Sequence, residues 1–135
     1  MKNFLLLTGL VVCLVLIGCP DNEIDSFDIL TTPIWQTDSL LANGIDASQP
    51  GQLLAKFKGN AIFNKDATGT FGIYTGRWWF SENRTQIVIK TDSLPLPLTC
   101  KIIELNEASF KITTAVPDML NPTAEVKIRM TFIPK

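Results

Sequence analysis

The chain has 135 residues, 12 basic against 13 acidic side chains and no histidine, for a formal charge of −1. That length holds one domain, and the near-neutral balance offers no electrostatic footprint for nucleic acid. Without histidine there are no His-based triads, His metal ligands or His proton switches.

Lys2 precedes an apolar run of 14 residues, Phe4 to Ile17, closed by Pro20 and Asp21. A membrane-spanning helix needs ~20 such residues. A charged start, a short apolar stretch and a small residue at the break are the parts of a secretory signal peptide, expected over residues 1–18. Its end, Leu16-Ile17-Gly18-Cys19, resembles the lipobox of bacterial lipoproteins. The resemblance implies cleavage before Cys19 and acylation of its thiol with palmitate-type chains. The mature protein of 117 residues, with a charge of −2, would then be held on the lipid bilayer of the cell envelope as an outer-membrane lipoprotein. More than one acyl chain makes such an anchor stable.

Cys13 leaves with the signal segment and Cys19 carries the lipid, so Cys100 stands alone and no internal disulfide is expected. Leu98 and Ile102 flank Cys100 at strand spacing, which predicts a buried, inert thiol.

From Cys19 to Ala55 there are six acids and no bases; from Lys56 onward there are 11 bases and 7 acids. Asp21-x-Glu23-x-Asp25 has the look of a calcium loop. An EF-hand requires Gly at its sixth place and Glu at its twelfth, and these are Ser26 and Thr32. Residues 19–30 therefore read as an extended acidic tether. Acids just after the lipidated cysteine also resemble the signal for surface display in Bacteroidetes-type bacteria.

Beyond Leu30 alternation replaces the helix period, and residues 31–135 read as one all-β domain. The first strand is expected over 34–41, ended by Asn43-Gly44. The second spans 53–63, with Phe57, Gly59, Ala61 and Phe63 on one face, although Leu53-Leu54 after Pro50-Gly51 also offers the start of a short helix. The turn 64–68 leads to a third strand over 69–74, with Phe71 and Ile73 together. Thr75-Gly76 turns into the fourth, 77–80, and 81–84 into the fifth, 85–91, with Ile87 and Ile89 inward. Pro95 and Pro97 make 92–97 a loop. The sixth strand is 98–105, the seventh 109–116 after the turn 106–108, and 117–123 is a loop. The eighth alternates most cleanly, with Val126, Ile128, Met130 and Phe132 on one face and Glu125, Lys127, Arg129 and Thr131 on the other.

Eight strands with short links favour an antiparallel up-and-down meander closing into a barrel. A sandwich is the alternative, but immunoglobulin-type domains call for a Cys pair around a core Trp. Several motifs in order then carry a resemblance: Phe63-Asn64-x-Asp66-x-Thr68-Gly69-Thr70, Gly76-Arg77-Trp78-x-Phe80-Ser81, Ile102-Ile103-Glu104-Leu105 and Thr131-Phe132-x-Pro134. From about Leu30 to Lys135 the chain resembles the small lipocalin-like lipoproteins of Bacteroidetes, which implies an eight-stranded lipocalin-like barrel.

No nucleophile elbow, phosphate-cradling loop or metal-spaced Cys set is present, so no enzyme and no cofactor are expected. Glu104 and Glu107 flank a hairpin turn and read as solvated acids rather than a glycosidase pair. Trp78 reads as core with Phe80, and Trp79 as an outward neighbour of Arg77. Asp38-Ser39-Leu40 and Asp92-Ser93-Leu94 resemble the acceptor motif for O-linked glycans on exported Bacteroidetes proteins, which makes Ser39 and especially Ser93 candidates. Asn83-Arg84-Thr85 reads as a hairpin turn.

Two functions are weighed: a binding module for a small apolar ligand or an envelope partner, and a structural or accessory lipoprotein with a filled barrel. Large inward residues outnumber small ones, which favours at most a shallow pocket. In a meander, alternate links share an end. The long loops 42–52, 92–97 and 117–123, with the tight Thr75-Gly76 turn, should therefore form an open mouth, and the turns 64–68, 81–84 and 106–108 a closed end. Trp35 should be a floor near the tether. The inward residues expected nearest the mouth are Phe57, Ile73, Trp78, Ile89, Cys100, Thr114 and Val126, and these or the three long loops are the candidate ligand contacts.

Overall fold

The computed structural model describes residues 25–135. The expected signal segment and lipidation residue Cys19 lie outside the described residues. Among those described, no helix is long and apolar enough to cross a membrane.

The first element among the described residues is one turn and a half of helix, α1 (Ser26–Thr31), where the tail of the acidic tether was expected. Asp25 caps it by accepting from the Phe27 amide at 3.1 Å, and Asp28 places a second negative charge in its first turn. Both satisfy or complement the open amides of a helix start. The helix is held by packing: Leu30 is fully buried, and its carbonyl accepts from the Trp35 indole at 3.0 Å.

The rest is one antiparallel sheet. Its strands are β1 (Trp35–Ala42), β2 (Ile45–Asp46), β3 (Asn60–Phe63), β4 (Thr68–Phe71), β5 (Tyr74–Ser81), β6 (Gln86–Thr91), β7 (Leu98–Leu105), β8 (Phe110–Pro117) and β9 (Glu125–Pro134). From β3 to β9 each strand pairs with the next. The start of β1 pairs with β3 through Trp35↔Ala61 and Gln36↔Asn60. Along its length β1 also pairs with β9, from Trp35↔Pro134 to Ala42↔Ile128, with a bulge between Thr37 and Ser39. Those two seams close an eight-stranded up-and-down barrel, and closure removes the exposed edges of an open sheet. β2 is a short return at the mouth. Asn43 and Gly44, with φ of 50° and 79°, make its turn, the pairing favoured for a tight hairpin.

Two expected boundaries move. Residues 53–59 are not strand. Ala55–Phe57 form a 3-10 turn that brings Leu54 and Phe57 to the core side together, both under a tenth exposed. A three-residue repeat aligns side chains i and i+3, so Phe57 belongs to this turn's face rather than to an alternating strand. The third turn is Gly72-Ile73 and not Thr75-Gly76. Gly72 takes φ +62°, and any Cβ there would strike the Lys56 carbonyl. Gly76 lies within β5 opposite Gly69 and Thr91, where a Cβ would collide with the Lys90 carbonyl oxygen. Both glycines are required, but only the first is a turn.

The closed end is filled by aromatic rings. Phe63 meets Phe71, Trp78 and Phe110 edge-on at 5.2, 5.6 and 5.7 Å between centroids. Phe110 stacks on Phe132 at 5.5 Å and touches Trp35 at 5.7 Å. Trp35 is the expected floor, completely buried above α1. Burying these rings supplies apolar transfer energy plus roughly 0.5–1.5 kcal/mol per favourable aromatic pair. On β9 the alternation is as expected: Ile128, Met130 and Phe132 are buried, whereas Glu125, Lys127 and Arg129 face solvent.

Candidate functional site

Antiparallel alternation places the links 43–59, 72–73, 92–97 and 118–124 at one end and 64–67, 82–85 and 106–109 at the other. The three long loops therefore share an end, as expected, and α1 sits at the opposite one. Arg84 in the closed-end turn pairs with Asp25, tying the helix start to that end.

At the loop-rich end the core is incomplete. A pocket of about 380 Å³ opens there, at the low end of the roughly 300–1,000 Å³ typical of ligand sites. Each long loop supplies part of it: Leu54 and Phe57 from the first, Leu94 and Pro95 from the second, Met119 from the third. Leu98 of β7, Val116 of β8, and Ile128 and Met130 of β9 form its walls and floor. The lining is apolar except for the hydroxyls of Tyr74 and Thr114. Tyr74 is seated by its ring against Phe57, at 4.8 Å. Around the mouth Ile45, Leu53, Ile73, Leu96, Met119 and Leu120 are all more than half exposed, Leu53 and Met119 while also lining the pocket.

Of the seven residues expected near the mouth, Phe57 and Thr114 line the pocket. Ile73 does not face inward: the shifted turn puts it at a loop tip, 71% exposed. Trp78 is core, but its indole points to the closed end and donates to the Asn64 and Thr68 carbonyls, each at 3.1 Å. Ile89 and Cys100 are buried in the wall without lining the cavity. Val126 packs partly against the core and also stays clear of it. Leu94 and Met119 lie in the long loops where contacts were expected, whereas Tyr74, Leu98 and Val116 line the pocket without having been expected there. Leu98 and Val116 lie in phase with Cys100 and Thr114 on their strands, a signal that was present but not extended to the strand ends.

The Cys100 thiol is fully buried, and desolvation pushes its pKa up to about 12, partly opposed by the nearby Thr114 hydroxyl. It is therefore protonated and unreactive at neutral pH. Ser93 lies exposed in the second long loop, whereas Ser39 is half-buried within β1 beside the bulge. Glu104 faces Lys111 at 3.0 Å and takes a hydrogen bond from Asn106, which lowers its pKa. Glu107 lies near Asp28 and Thr32 at the opposite end from the pocket. Among the described residues no group of three or more His, Cys, Asp or Glu residues is gathered as a metal site.

No protein-family model matches this sequence, and no curated protein matches it.

Proposed function

We propose that this protein is a membrane-anchored lipoprotein of the lipocalin-like type, lipidated at Cys19. Its barrel is a non-enzymatic binding module that takes a small apolar ligand through the loop-rich mouth. The observation that carries the reading is the 380 Å³ apolar pocket formed where all three long loops converge. The exposed apolar tips around it favour an apolar molecule or an envelope partner as the group that meets the mouth. Because α1 enters at the opposite end, a tether from Cys19 leaves the mouth pointing away from the anchoring bilayer.

Two measurements test this. The full chain and Cys19→Ala are expressed in a Gram-negative host and partitioned in detergent; the native chain enters the detergent phase and the variant does not. Equal partitioning refutes the anchor. The soluble barrel is then titrated with the neutral fluorescent probe N-phenylnaphthylamine, with Val116→Trp as a plugged pocket. Saturable binding lost in the variant supports the module. The aromatic-filled closed half supports a second reading, a surface spacer or accessory protein with no ligand. Absence of saturable binding by the native barrel favours that reading.

A further inference from the structure

The wall of the barrel is split beside the pocket. The β7–β8 ladder ends at Lys101↔Thr113, although both strands continue toward the mouth. Beyond that pair, β7 stays bonded to β6 through Ile87↔Cys100, Val88↔Thr99 and Ile89↔Leu98. β8 stays bonded to β9 as far as Pro117↔Glu125. Each strand is thus held on its far side and released on the near one. At the split, the Thr99 carbonyl accepts from the Thr114 hydroxyl at 2.8 Å instead of from a ladder amide.

Thr114 and Ile128 line the apolar pocket within, and the same two residues line a groove of about 680 Å³ on the outer wall. That groove holds Lys101, Lys127 and Arg129, with the polar side chains of Gln86, Thr99 and Thr113 among them, and no carboxylate lines it. Arg129, Thr113, Lys101 and Gln86 are successive cross-strand partners and form one row across the wall. The ion pairs among the described residues are Arg84–Asp25 and Lys111–Glu104, so none of these three cations is paired with a carboxylate there. An apolar chamber and a cationic shelf therefore lie back to back across Thr114 and Ile128, beside a break in the main-chain ladder.

We propose that the ligand is a single-chain anionic amphiphile. Its tail occupies the mouth pocket, and its charged head emerges sideways between β7 and β8 onto Lys101, Lys127 and Arg129. Opposite charge on a concave shelf steers such a head and fixes its orientation, while tail burial supplies most of the affinity. The proposal rests on the mouth pocket being a binding site and adds the head group and its exit.

The test compares dodecanoate with the uncharged dodecanol on the soluble native barrel and on the triple variant Lys101→Gln, Lys127→Gln, Arg129→Gln. All three side chains are outward and exposed, so the variant should melt with the native protein. Dodecanoate should bind about tenfold more tightly than dodecanol to the native barrel, a difference of about 1.4 kcal/mol. Raised salt and the triple variant should each erase that preference while leaving dodecanol unchanged. Backbone shifts on adding dodecanoate should include Thr99, Lys101 and Ala115. Equal binding of the two probes, or a preference that survives the triple variant, overturns the inference and leaves the pocket reading standing. Shifts confined to the 64–67 and 82–85 turns overturn it as well. Failure of both probes to bind removes the pocket reading and this inference together.

Discussion

Truncating Phe132 and Ile128 separates the packed half of the barrel from the open half. Both lie on the inward face of β9 and are about 95% buried. Phe132 stacks on Phe110, which in turn touches Trp35 and Phe63. Phe132→Ala loses roughly 1.5–3 kcal/mol of transfer energy and roughly 0.5–1.5 kcal/mol of aromatic pairing. It also leaves a cavity among rigid rings that cannot collapse into it. The total should be about 3–5 kcal/mol. Ile128 borders the pocket, so part of what its side chain would leave behind is already open space. Ile128→Ala should fall near the lower end of the range for such truncations, about 2 kcal/mol. The assay is urea unfolding followed by tryptophan fluorescence, with Trp35 and Trp78 as buried reporters. With a slope near 2 kcal/mol per molar, Phe132→Ala should lower the midpoint by about 1.5–2.5 M and Ile128→Ala by about 1 M. If Ile128→Ala proved the costlier change, or if Phe132→Ala cost under about 1 kcal/mol, the division into a filled end and an open end would be wrong.

Cys100→Ser replaces a buried thiol by a more polar hydroxyl and should cost about 1–3 kcal/mol, while reductant leaves the melting of the native barrel unchanged. Thiol reagents should label Cys100 only after unfolding; rapid labelling of the native state would contradict its burial. Asp25, Asp46, Asp66 and Glu104 are held below their ordinary pKa values, mainly by hydrogen bonds from Phe27, Ser48, Thr68 and Lys111 respectively. A lowered folded-state pKa adds stability that is present above the unfolded value and is lost as pH falls through the folded one. The barrel should therefore weaken below about pH 4 and titrate little between about pH 5 and 8, where its missing histidines would otherwise act. A stability step near neutral pH, measured by urea midpoint against pH, would contradict this.

Much of the wall could be read from residues alone. Alternation along 125–132 is a local consequence of a strand with one wet face, and the order of turns is enough to assign the long loops to one end. Other features could not be reached this way. Asp25 to Thr31 has too few residues for a visible helix period, and Leu30 is buried only because the barrel offers a floor at Trp35. Gly72 and Gly76 are equally good turn residues in isolation. Both are crowded by a neighbouring carbonyl, and it is Gly72 that takes the left-handed turn conformation at φ +62° while Gly76 pairs within β5. One shifted turn then sends Ile73 to solvent and brings Tyr74 to the pocket. The split between β7 and β8 is more remote still, since neither Thr99 nor Thr114 differs from an ordinary strand threonine. Whether a ladder continues depends on how two strands are held by their other neighbours. Periodicity and turn chemistry act over a few residues and so are written in the sequence, whereas the pocket and the ladder break beside it depend on spacings between strands that only closure of the barrel sets.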